Sequence, residues 1–155
     1  MDLASLLAPE AVRVLPGITS KKRLFQELAD MFSEMSDDVM PGEACSALQE
    51  RESLGPTGVG NGIALPHARI PGADSVRGLF IRLEKPLNFD AVDRQPVDLV
   101  FALFAPEDSG VDHLKALALV SRTMRNPGLC AKLRANDDPA ALYAILTDKH
   151  STRAA

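Results

Sequence analysis

The chain concentrates its candidate chemistry in residues 51–69, RESLGPTGVGNGIALPHAR. Gly55, Gly58, Gly60 and Gly62 fall within eight residues, and the short apolar run Ile63-Ala64-Leu65 follows them. Glycine supplies backbone freedom, so this stretch can shape a tight loop or a depression. Pro66 biases Leu65 toward extended backbone and cannot donate to a sheet ladder. The run is therefore predicted to be a strand that stops at Pro66 and presents His67 at its exposed end. An imidazole placed there is largely neutral near pH 7 and can act as a nucleophile. A glycine-rich stretch is also what an ordinary surface loop looks like, so the reading gains weight only if other residues converge on it.

Two others can. His113 falls near the start of a predicted helix, on one face with Leu117, Val120 and Met124 at steps of four, three and four. It points inward or into a cleft, as a core histidine or as a group at the anion-attracting end of a helix. The partial positive charge there disfavours imidazolium and leaves a neutral ring with one hydrogen to donate. Arg51 precedes the glycine loop, either as a solvated charge or as a fork for bidentate phosphate binding. Together, His67, His113 and Arg51 would form an oxyanion pocket with one nucleophilic nitrogen.

Other chemistries lack their spacing. Gly58-x-Gly60 is not completed by a glycine at Ile63, and no Gly-Lys-Ser/Thr follows to make a phosphate loop. HExxH and GxSxG are absent. Cys45 and Cys130 stand apart without CxxC spacing, which fits packing residues in a reducing compartment and implies no metal site. With 17 basic against 21 acidic residues, a formal charge of −4 argues against a nucleic-acid partner. The longest apolar run, Leu99 to Ala105, has seven residues, short of the roughly 18 that span a membrane. The first residues carry no basic n-region, so a cytoplasmic protein is expected.

The elements that must position these residues read as α/β. At 155 residues, 46% apolar and 25% charged, the chain has the composition of one globular domain, expected over residues 1–148, with a disordered tail from Lys149 that includes His150. The stripe Leu24, Leu28, Met31, Phe32, Met35 predicts a helix over 20–35 with Ser20 as its N-cap. Pro41 opens a second helix that ends near Ser53. Residues 75–83 and 97–105 have strand composition and length, the second as a central buried strand. A helix is predicted over 109–126, stopped by Asn126-Pro127-Gly128, and a last one opens at Asp138-Pro139 and runs through Leu146.

Glu52 followed by Val59-Gly60-Asn61-Gly62-Ile63-Ala64-Leu65-Pro66-His67-Ala68 resembles the phosphohistidine signature of the type-2 IIA components of the bacterial phosphoenolpyruvate-dependent phosphotransferase system. Ser20-Lys21-Lys22-Arg23, Arg51-Glu52-Ser53-Leu54-Gly55, Asn88 to Asp93, Pro96 to Phe101 and His113-Leu114 resemble the nitrogen-related branch of that family. The resemblance covers nearly the whole chain and implies a mannitol-type IIA fold, a mixed β-sheet with helices on both faces. It implies His67 as phosphoryl acceptor, His113 as its neighbouring hydrogen-bond donor and Arg51 as a phosphate-stabilising arginine, with no cofactor or metal. It further implies a histidine-phosphorylated HPr- or NPr-type carrier as partner, and regulated target proteins such as potassium-transport regulators or sensor kinases. The alternative is a sugar-specific, fructose- or mannitol-type component that hands the group to a IIB domain.

Overall fold

A computed structural model describes residues 1–148, so the expected tail from Lys149, His150 included, lies outside the described residues. Local signals set several helices. Ser20 Oγ accepts from the Arg23 amide at 3.1 Å, and α2 runs Lys21–Met35 with Leu24, Phe25, Leu28, Met31 and Phe32 buried. Pro41 takes the first position of α3 (Pro41–Ser53), where its missing N–H costs nothing. Before them come the short α1 (Leu3–Leu6) and β1 (Val12–Leu15), which periodicity does not announce.

The glycine-rich segment forms β2 (Gly58–Gly60) and β3 (Ile63–Ala64), followed by β4 (His67–Arg69). The long strands are β5 (Arg77–Leu87) and β6 (Val97–Ala105). The sheet order is β1-β5-β6-β3-β2, and β4 also pairs with β6. β6 is antiparallel to β5 but parallel to β3 and β4, which share its other edge at Leu99–Val100 and Leu103–Ala105 respectively. From Leu99 to Ala105 every side chain of β6 is buried. Because side chains alternate across a strand, both faces of the sheet are covered. Phe104 stacks on Phe32 of α2 at 4.4 Å, while Phe101, on the opposite face, meets Phe80 edge-on at 6.0 Å. The expected mixed sheet with flanking helices is what the chain forms.

Three expectations need correction. β5 extends four residues beyond the predicted 83, through Pro86, because its ladder with β6 is interrupted between Arg82 and Leu87 and the proline forgoes no bond there. The predicted helix 109–126 is α4, Val111–Met124, two residues shorter at each end. Asn126-Pro127 does end it, but it also starts α5 (Pro127–Arg134): the Asn126 side chain accepts from the Gly128 and Leu129 amides as an N-cap, with proline at the first helical position. The same device, Asp138-Pro139, opens α6 (Pro139–Thr147) as expected. Cys130 is buried and Cys45 packs against the same core, in agreement with their reading as packing residues. No helix among the described residues is long and apolar enough to cross a membrane.

Candidate active site

The pairing of β3 and β4 with one edge of β6 brings His67 into the sheet. Leu65 and Pro66 step the chain between two registers, and the Pro66 carbonyl accepts from the Leu103 amide at 2.9 Å. His67 therefore does not stand at an exposed strand end, as the proline suggested; it opens a new parallel strand and is half-buried. Pro66 lacks a donor but keeps an acceptor, so it interrupts the ladder without ending it. His67 Nδ1 lies 2.8 Å from the Leu65 carbonyl, which makes it the protonated nitrogen and leaves the lone pair on Nε2.

The glycines serve the hairpin that precedes this strand. Gly62, at φ +78°, would bring a Cβ to 2.5 Å from Arg134 Nη2 and 3.0 Å from Asp98 Oδ1. That closeness reflects a clamp: Arg134 donates Nε and Nη2 to Asp98 and Nη2 to the Asn61 carbonyl, at 2.7–3.1 Å. Asp93 Oδ2 accepts from the Asn61 amide at 2.8 Å. The hairpin is thus tied to β6 and α5 before the chain reaches the histidine.

α4 brings His113 opposite. The two imidazole centroids are 5.8 Å apart and tilted by 45°. His113 is only 7% exposed, and its Nδ1 is buried with no hydrogen bond to the described residues. Arg51, in the last turn of α3, donates Nη1 to the Gly55 carbonyl at 3.0 Å and is half-buried, not the freely solvated charge that a helix end suggests. Its charge reaches His67. Sequence reasoning passed over Arg69, two residues beyond His67, whose charge reaches His113. Among the described residues no group of three or more His, Cys, Asp or Glu side chains is arranged to hold a metal ion.

Both histidines are held below the ordinary value of 6.5. For His67 burial is the largest cause, the Leu65 carbonyl opposes it, Arg51 adds to the lowering and Glu52 counters. For His113 burial again leads, followed by the charges of His67 and Arg69. Both rings are neutral near pH 7. As pH falls below 6.5 the unfolded chain takes up protons before the folded one, so the stability contributed by the neutral rings is complete above 6.5 and is lost as pH falls through the lowered folded values. Urea midpoints at pH about 7.5 and about 5.5 should differ more for wild type than for a His67→Gln/His113→Gln double variant. An equal drop in both proteins would contradict the buried neutral pair.

Two imidazoles facing each other, one with a fixed free lone pair, and an arginine charge that reaches it form a setting suited to receiving an anionic group. The chain belongs to the family described as phosphoenolpyruvate-dependent sugar phosphotransferase system, EIIA 2, which it matches over residues 5–149. More particularly, it is 43% identical over 154 residues to the nitrogen regulatory protein of Bradyrhizobium diazoefficiens, covering 99% of this chain and 100% of that one. The crystal structure of nitrogen regulatory protein IIA-Ntr from Neisseria meningitidis superposes with a TM-score of 0.84 at 34% identity, over 92% of this chain and 97% of that one. IIA mannitol from Escherichia coli, at 17% identity, shares the fold with a TM-score of 0.74 over 90% of this chain and 97% of its own.

Proposed function

We propose that this protein is a phosphocarrier of the nitrogen-regulatory branch of the phosphotransferase system, phosphorylated on His67 Nε2 by a histidine-phosphorylated carrier of HPr or NPr type. The observation that carries the reading is the 2.8 Å bond from His67 Nδ1 to the Leu65 carbonyl in a ring that faces His113 at 5.8 Å. The Nε2 lone pair attacks phosphorus in line, and the carrier's phosphorus–nitrogen bond breaks with its electron pair returning to the carrier's imidazole. As Nε2 bonds to phosphorus, positive charge develops on the ring and the Nδ1–H bond to Leu65 strengthens. Arg51 and the Nε2–H of His113 meet the charge on the equatorial oxygens; His113 Nδ1, buried without an acceptor among the described residues, is taken as the unprotonated nitrogen.

The product is a protein whose surface has gained roughly −1.5 to −2 charge, as in other phosphorylated side chains, at a half-buried site. That change selects among target proteins, in line with the regulatory naming of the 43% identical relative. The fold does not separate this role from sugar uptake, since a mannitol IIA shares it. Mixing the phosphorylated protein with fructose- and mannitol-type IIB domains tests the branch: the label is expected to stay on this chain, and rapid passage to either IIB domain would assign it to sugar uptake.

Arg51 allows charge and geometry to be separated. Arg51→Lys keeps the charge and loses the planar fork, so it should slow transfer or shorten the phosphohistidine lifetime nearly as much as Arg51→Ala. Both variants should fold, with the loss of the Gly55 contact costing about 1 kcal/mol in melting experiments. Wild-type transfer and lifetime in Arg51→Ala would reduce Arg51 to a structural contact.

A further inference from the structure

Glu52 is an acidic side chain in the last turn of α3, where the helix dipole disfavours negative charge, and helix stability therefore gives no reason for it. Its side chain is only 9% exposed, and both oxygens are engaged. Oε1 accepts from Thr57 Oγ1 at 2.6 Å, Oε2 from Lys21 Nζ at 2.9 Å, and the Thr57 amide lies 3.2 and 3.1 Å from the two. Lys21 is itself fixed over the Phe89 ring at 4.8 Å. Thr57, 4% exposed, in turn accepts the Leu65 amide on its carbonyl at 3.0 Å. Leu65 then offers its own carbonyl to His67 Nδ1. One path of hydrogen bonds, linked through the backbone of Thr57 and Leu65, runs from the Lys21–Glu52 pair to the ring proposed as the phosphoryl acceptor.

Resting on that reading, we propose that Glu52 is a positioning residue for His67: through Thr57 and Leu65 it sets the carbonyl that fixes the proton on Nδ1 and keeps Nε2 free to attack. A carboxylate is required because the position takes donors on both oxygens. A glutamine amide must turn its NH2 either toward the Lys21 ammonium, where donor meets donor, or toward Thr57, where the hydroxyl has to reverse and accept and the Thr57 amide loses one of its two acceptor oxygens. The carboxylate's charge also favours a positive His67 ring, the state approached as Nε2 bonds to phosphorus, whereas Arg51 opposes it.

The test is the tautomer of His67 in the unphosphorylated protein, read from the nitrogen shifts of the ring, together with the rate of labelling by a phosphorylated HPr-type carrier. Wild type and Thr57→Ser, which keeps the hydroxyl, should show Nδ1–H. Glu52→Gln should show a mixed tautomer and transfer about 10- to 100-fold slower, the range found when groups orienting a ligating imidazole are removed. Should Glu52→Gln fail to fold, Thr57→Val, measured against Thr57→Ser, carries the same expectation in smaller degree. An unchanged tautomer, or an unchanged rate, in the folded variant overturns the proposal. The tautomer is measured without a phosphoryl donor, so failure of the wild type to be labelled on His67 would count against the phosphocarrier reading alone.

Discussion

His67→Ala is expected to take up no phosphoryl group when incubated with phosphoenolpyruvate, the first enzyme of the pathway and an HPr-type carrier, under conditions that label wild type with one acid-labile group. The expectation follows from geometry. His67 combines a lone pair fixed on Nε2 by the Leu65 carbonyl with a half-buried position facing a second imidazole. His113 is the less exposed of the two, and its Nδ1 is buried with no hydrogen bond among the described residues, so it is not expected to substitute as acceptor. Alanine keeps the backbone of β4, whose pairing with β6 runs through main-chain atoms, and the variant should remain folded. Labelling of His67→Ala at the wild-type level would place the chemistry elsewhere.

His113→Ala should slow the transfer without abolishing it, because the ring is assigned a hydrogen bond to the transferring group and no covalent role. Loss of one preorganised donor to a developing charge costs roughly 2.7–4 kcal/mol, or a rate loss of about 10²–10³-fold, as an upper guide. The ring is 7% exposed and shares a helix face with the buried Val120 and Met124, so its removal should also lower the melting temperature. The two effects are separable when rapid-quench kinetics and melting are measured on one preparation. Reduced stability with a normal rate in the folded fraction would make His113 a core residue and nothing more.

The elements that were legible carry their signal locally. Ser20 and Pro41 mark the starts of α2 and α3 within one turn of the chain, and the uninterrupted run Leu99 to Ala105 announces a strand covered on both faces. What was missed depends on distant partners or on a signal with two meanings. β1 exists because it lies parallel to β5, far along the chain, and nothing in Val12–Leu15 alone says so. Pro66 reads as a strand end, yet β6 offers its free edge on both sides of that residue and recovers the pairing. Asn126-Pro127 reads as a stop, although the identical logic at Asp138-Pro139 reads as a start.

The site divides in the same way. His67, His113 and Arg51 could be singled out by residue type and setting, and the family resemblance supplied their roles. The distance between the two rings could not be read, since it depends on how α4 sits against β6. The partner that selects the tautomer is a main-chain carbonyl, which no side-chain pattern marks. Glu52 stood in the signature as a letter; its engagement with Thr57 and Lys21 appears only once α2, α3 and the following loop are assembled.

The most direct test of the phosphocarrier reading is phosphorus–nitrogen correlation spectroscopy on the uniformly nitrogen-15-labelled protein after phosphorylation by the carrier. One phosphoramidate is expected, bonded to Nε2 of His67, with Nδ1 of the same ring still protonated. Phosphorus bonded to Nδ1 of His67, or to any other residue, would contradict it.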